Sequence, residues 1–140
     1  MKRRKRTEIL VKADPIFVQK LRKEVESRHD VKVIDEAENG LMMIKMRETA
    51  KKSLFYLGEV LTTEAKVQVN GVLGIGIIRG DEPELAYDLA VVDAAFNGRL
   101  PVTKAWERLL LTEELAINER MKQKQCQIMA TKVNFDVMDT

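Results

Sequence analysis

Apolar positions along this chain recur first at three- and four-residue steps, then alternate, then return to helical spacing. From about Thr7 to Arg28, Ile9, Leu10, Phe17, Leu21 and Val25 mark a helical stripe that Asp14-Pro15 interrupts. Asp14 can accept backbone N–H groups at an N-cap and proline suits a first helical position, so two helical pieces are predicted. The run "VKVIDEAENGLMMIKMRE" places Asn39-Gly40 between two extended segments. Asn-Gly is favoured where both central turn residues take positive φ, which predicts a hairpin there. "SLFYLGEVLTTEAKVQV" continues in extended style, with Gly58 as a bulge, and a second Asn-Gly at residues 70 and 71 turns the chain into "VLGIGIIRG".

Beyond Gly80 the spacing becomes helical again, with Asp81 as N-cap and Pro83 in the first turn, to about Asn97-Gly98. A further helix is predicted near Thr103, carrying Trp106, Leu109 and Leu110. A third starts at about Thr112 and aligns Ile117, Met121 and Ile128. The last residues, 133–140, read as a loose tail, and the basic start, 1–7, as a frayed terminus. Strands and helices do not alternate, so the plan is α+β: one domain, 1–140, with an antiparallel β-sheet built from two Asn-Gly hairpins. The N-terminal helix and the C-terminal helices should lie mainly on one face.

Gly74 and Gly76 fit neither a dinucleotide fingerprint nor a phosphate loop, because the required spacings and the Lys-Ser/Thr pair are missing. Two apart on a strand, they leave one face bare, which suggests close approach by another backbone, a ligand or a helix. A three-residue loop with Gly71 left-handed would set Ala65 and Val67 beside Leu73, Ile75 and Ile77 as one apolar face, and this register is expected. In the following helix, Leu85, Leu89, Val92 and Phe96 should meet the sheet, while Ala86, Ala90 and Ala94 form a second stripe. Either a partner chain or this chain's own C-terminal helices would cover that stripe. Gly74, Gly76, Ala86, Ala90 and Ala94 are thus candidate interface residues.

Composition narrows the chemistry. The net charge is +2, with the basic excess gathered in "KRRKR" at residues 2 to 6, so no extended nucleic-acid face is expected. No apolar run reaches membrane-spanning length, and the cationic start lacks the apolar stretch of a signal peptide. One cysteine, Cys126, and one histidine, His29, leave too few soft ligands for a metal site and suit a cytoplasmic location. Asp93 borders an apolar stripe and, if buried, must be hydrogen-bonded. No self-sufficient active site is visible.

The segments "EAENGLMMIKMRE", "FYLGEVLTTEAKVQVNGVLGIGIIRGDEPELAYDLAVVDAAF" and "ATKVNFDVM", in that order, resemble the PhnG subunit of the bacterial carbon–phosphorus lyase system. That resemblance implies a hetero-oligomeric core with PhnH, PhnI and PhnJ, assisted by PhnL. It implies displacement of adenine from ATP by a phosphonate, with ATP as substrate of the complex and no cofactor held by this chain alone. Carbon–phosphorus cleavage would belong to the iron–sulfur subunit PhnJ. Two roles stay open for this chain: a non-catalytic docking subunit, or one lending polar groups to a shared site. For the second, the candidates are Glu38, Glu59, Thr63 and Glu64 as catalytic groups, with Arg79 and Asp81 binding substrate. The alternative outside phosphonate chemistry is a self-associating interaction module, and the isolated chain can pair with itself under either reading.

Overall fold

The structure, a computed structural model, describes residues 1–50 and 53–138, with side chains through residue 132. Contacts gather into two compact units, Asp14–Thr103 and Met1–Ala13 with the chain from Lys104 onward.

The larger unit is α+β. It holds α2 (Pro15–Arg28), β1 (Val31–Arg47), β2 (Leu54–Val69), β3 (Val72–Arg79) and α3 (Pro83–Asn97), preceded in the chain by α1 (Arg3–Lys12). As predicted, Asp14 caps α2, its carboxylate accepting the Ile16 N–H at 2.9 Å. The three strands form an antiparallel sheet in the order β1-β2-β3. β2 and β3 join at Asn70-Gly71, where φ is 51° and 80°, as a two-residue primed turn requires.

Asn39-Gly40 is not a turn. β1 runs straight through it and reverses only beyond Arg47, where Glu48 N–H meets the Ser53 carbonyl at 2.9 Å. The Asn39 side chain is engaged instead by the Thr63 hydroxyl, 3.0 Å away, and each residue from Asn39 to Ile44 finds a partner on β2. Extending the ladder outweighs a turn that the dipeptide permits but does not enforce. The Gly58 bulge falls as predicted, opposite the register shift between Ile44 and Lys45.

The expected three-residue loop is also corrected. Val69 stands opposite Val72, Val67 opposite Gly74 and Ala65 opposite Gly76, so the glycines share a face with these three buried residues. That face meets α3. A methyl group built on Gly74 would strike the Ala90 carbonyl and the Ala94 nitrogen, and one on Gly76 the Ala86 carbonyl. The five candidate interface residues therefore cover one another within this chain and are not free for a partner. Absence of Cβ on the strand lets the alanine stripe, rather than the Leu85–Phe96 stripe, sit at backbone distance from the sheet. α2 packs on the opposite side of α3 through Val18, Leu21 and Val25, which explains why α3 is apolar nearly all round.

Asp81 does not cap α3. The N-cap is Glu82, whose N–H is accepted at 3.1 Å by the fully buried Thr63 hydroxyl. That hydroxyl also contacts the Gly80 carbonyl. One hydroxyl has one proton, so with Gly80 taking it, Asn39 fits best with its amide NH2 turned toward Thr63.

In the smaller unit, α1 begins at Arg3 and buries Arg6, Ile9 and Leu10, so the basic start is helical rather than frayed. The Met1 amine lies 3.6 Å from Glu107 and Lys5 lies 3.5 Å from Glu114, which sets α1 alongside α4. α4 (Val102–Met138) is a single helix of 37 residues, not two helices and a loose tail. No glycine or proline interrupts it, and Thr112 donates back to the Arg108 carbonyl at 3.0 Å instead of ending a turn. Residues 139 and 140, the end of the expected tail, lie outside the described residues.

Candidate functional site

β3 pairs only with Thr62–Val69 of β2, so the rest of the β1–β2 ribbon has no third strand beside it. This arm carries ten large apolar side chains between Leu41 and Leu61, each 41 to 67% exposed. Register divides most of them between two faces. The face turned away from α3 carries Met42, Ile44 and Met46 on β1 with Phe55 and Val60 on β2. It continues onto β3 as Leu73, Ile75 and Ile77. The other face carries Leu41, Met43 and Leu61, then turns mixed at Glu59, Lys45 and Arg47, where the Lys45 ammonium lies 5.4 Å from the Tyr56 ring centre.

Three of the six polar candidates come together on the open face. Glu38 stands opposite Glu64, and Arg79, opposite Thr62, occupies the diagonal position on β3. Lys66 adds a cation at 3.7 Å from Asp35 and 4.0 Å from Glu64. The other three lie elsewhere: Thr63 is buried on the helix side as a structural pin, Glu59 sits on the arm's mixed face, and Asp81 is exposed beyond the strand end. Like charges directly opposite cost stability unless a cation or ligand intervenes, so the Glu38–Glu64 pair is the patch's most unusual feature. Among the described residues no cluster has the geometry of a metal site.

The family model described as phosphonate metabolism protein PhnG matches residues 1–139. The chain belongs to the PhnG family. A comparison with curated proteins gave no match. Membership makes this a protein of phosphonate metabolism. No helix among the described residues of this PhnG chain is long and apolar enough to cross a membrane.

The sequence reading missed one polar cluster altogether. Asp88 is buried between α3 and α2 against the Arg22 guanidinium. Arg22 also donates to Glu26 at 2.8 Å, and Glu26 accepts the Tyr87 hydroxyl at 2.9 Å. The signal was available: Arg22 and Glu26 lie four apart on α2, and Tyr87-Asp88 meets them from α3. Burial raises the Asp88 pKa despite the opposing pull of Arg22. Nearby, Ile16, Gln19, Pro83 and Leu85 line a shallow cleft of about 430 Å³ that Asp88 borders.

Tyr87 is pushed up to about 12, by burial first and then by its bond to the Glu26 carboxylate. A raised folded-state pKa favours the neutral phenol, so this contribution is complete below pH ~10 and is lost as pH rises through the folded value. In a Tyr56→Phe chain, the phenolate absorbance of Tyr87 should rise with a midpoint near 12 while circular dichroism reports intact helix. A midpoint close to pH ~10 with the fold intact would contradict the bond.

Proposed function

We propose that this chain is an accessory, docking subunit of the carbon–phosphorus lyase core complex. Together with PhnH and PhnI, and assisted by PhnL, it supports transfer of the ribose triphosphate moiety of ATP to a phosphonate. In that reaction the C1′–N9 bond breaks, adenine leaves with the electron pair and gains a proton, and a phosphonate oxygen bonds to C1′. The product is an α-D-ribose 1-phosphonate 5-triphosphate.

Membership of the PhnG family supports the pathway, and the open arm supports the docking role. Ten half-exposed apolar side chains on one ribbon exceed what a monomer commonly leaves to water. PhnI, PhnH and PhnJ are the partners this reading assigns. Convergence of Glu38, Glu64 and Arg79 on the same face favours a second reading, in which the subunit lends them to a shared active site. There Arg79 would hold a phosphate oxygen and the carboxylates would act on the leaving base or the nucleophile.

Co-purification with tagged PhnI and an adenine-release assay, run with and without this chain, test the proposal. Stable capture and release that depends on the chain are expected. Release at full rate in its absence would remove the role.

A further inference from the structure

α4 has a covered first half and a bare second half. Along the first half α1 lies close: the Met1 amine is 3.6 Å from Glu107, Lys5 is 3.5 Å from Glu114, and Ile9 and Lys12 line a small cavity with Ile117 and Asn118. α1 ends there, at Lys12. Every residue from 118 to 132 is exposed, although the helix runs on to Met138. Helices in proteins draw most of their stability from a packed face, and over these residues α4 has none.

The row that is buried in the first half does not stop where α1 does. Trp106, Leu110, Glu114, Ile117, Met121, Lys124 and Ile128 follow one another at three- and four-residue steps, so they share one side of the helix. Trp106, Leu110 and Ile117 are buried, whereas Met121 and Ile128 stand 54% and 61% exposed. Charge changes sign along the same line. Residues 102–117 hold three carboxylates, Glu107, Glu113 and Glu114, against Lys104 and Arg108, and two of those carboxylates meet cations of residues 1–12. Residues 118–132 hold four cations, Arg120, Lys122, Lys124 and Lys132, against Glu119 alone. Arg120 reaches back to Glu113, but Lys122, Lys124 and Lys132 meet no carboxylate among the described residues. Lys124 and Lys132 line one shallow groove with Ile128.

We infer that the second half of α4 docks an acidic, amphipathic helix of another protein, laid along the seam where α1 leaves off. Met121 and Ile128 pack against the partner's apolar row, and Lys124 and Lys132 pair with its carboxylates. This reverses the polarity by which α1 meets the first half, where the cations come from α1's side and the carboxylates from α4. A second copy is the wrong occupant. Its α1 brings Arg3, Arg4 and Lys5 to a cationic surface, and its own residues 118–132 bring the same excess of positive charge. A lipid surface fits no better. Interfacial helices bury a broad apolar face, whereas this seam carries two large apolar side chains with a lysine between them, the width of a helix–helix contact. The surface belongs to the smaller unit, not to the unit that carries the arm, and the inference does not rest on the phosphonate reading.

Cross-linking in the cell tests the occupant. With the photoreactive p-benzoylphenylalanine in place of Met121 or of Ile128 in the full chain, mass spectrometry of the cross-linked peptides should place both links in one segment of another protein. The two attachment points should lie about seven residues apart, in a stretch whose apolar residues recur at helical spacing between flanks rich in Asp and Glu. Lys124→Glu combined with Lys132→Glu, both at exposed positions, should keep the helix content by circular dichroism and lower the cross-linked yield roughly tenfold or more. With the purified chain, a synthetic three-heptad peptide carrying leucine on its seam and glutamate on its flanks should bind roughly tenfold more tightly than its lysine-flanked counterpart, and the double variant should reverse that order. Links to phospholipid, to a second copy of this chain or to segments without that character would overturn the inference. So would an unchanged yield in the double variant, or equal binding of the two peptides.

Discussion

Gly76→Ala lowers the stability of the chain by about 3 kcal/mol or more, at the top of the range for overpacked cores. The added methyl would fall on the Ala86 carbonyl and the Ala90 nitrogen, and both are helix backbone, which cannot rotate aside as a side-chain end could. Relief requires α3 to lift from β3, which also pulls Asp93 off Ile75 and Asn97 off Leu73. Small domains hold only about 5–15 kcal/mol in all, so Gly76→Val should not fold. Gly40→Ala is the matched control: it meets nothing within 4 Å and should leave stability unchanged or improve it by about 0.5 kcal/mol. Urea unfolding followed by far-ultraviolet circular dichroism measures both. Equal midpoints for the two variants would refute close contact between α3 and the glycine face.

That contact also shows how far the sequence could be read. The bare strand was legible as a surface demanding close approach, but the alanine stripe was assigned to a partner or to the C-terminal helices, and the Leu85–Phe96 stripe to the sheet. What periodicity could not say is that each was the other's partner, because a single chain does not reveal which of two complementary faces lies within reach. Local turn chemistry gave Asn70-Gly71 and misled at Asn39-Gly40, where a strand with partners on both sides of the dipeptide outcompetes the turn. The break expected at Thr112 failed for a similar reason: one threonine satisfied by a carbonyl four residues back does not end a helix. The exposed arm was the least visible feature. Alternation of apolar and polar residues signals a half-buried strand, whereas the arm is apolar at Met42, Ile44 and Met46 on a face that stays open, and periodicity does not tell an open apolar face from a buried one.

The second large effect concerns that face. Ile44→Asp with Phe55→Asp places two carboxylates side by side where the account expects a partner to exclude water. In the isolated chain both positions are more than 40% exposed, so the fold should lose no more than about 1 kcal/mol. In an assembly the same charges would be desolvated without a cation, which costs at least about 3 kcal/mol for the pair and a hundredfold or more in affinity. Capture by PhnI should therefore fail while circular dichroism and melting stay close to the parent. Glu64→Gln separates the two readings of the subunit. A docking role leaves turnover near that of the parent, whereas a shared active site keeps assembly intact and collapses turnover.

Adenine release from ATP and methylphosphonate, measured in a mixture of PhnH, PhnI and PhnL reconstituted with this chain or with its Ile44→Asp, Phe55→Asp variant, tests the docking surface most directly. The account predicts that the variant, still folded, restores less than about a tenth of the parent's release, the size of effect a buried, unpaired charge produces. Full restoration by the folded variant would show that the open face of the arm is not where the complex is joined.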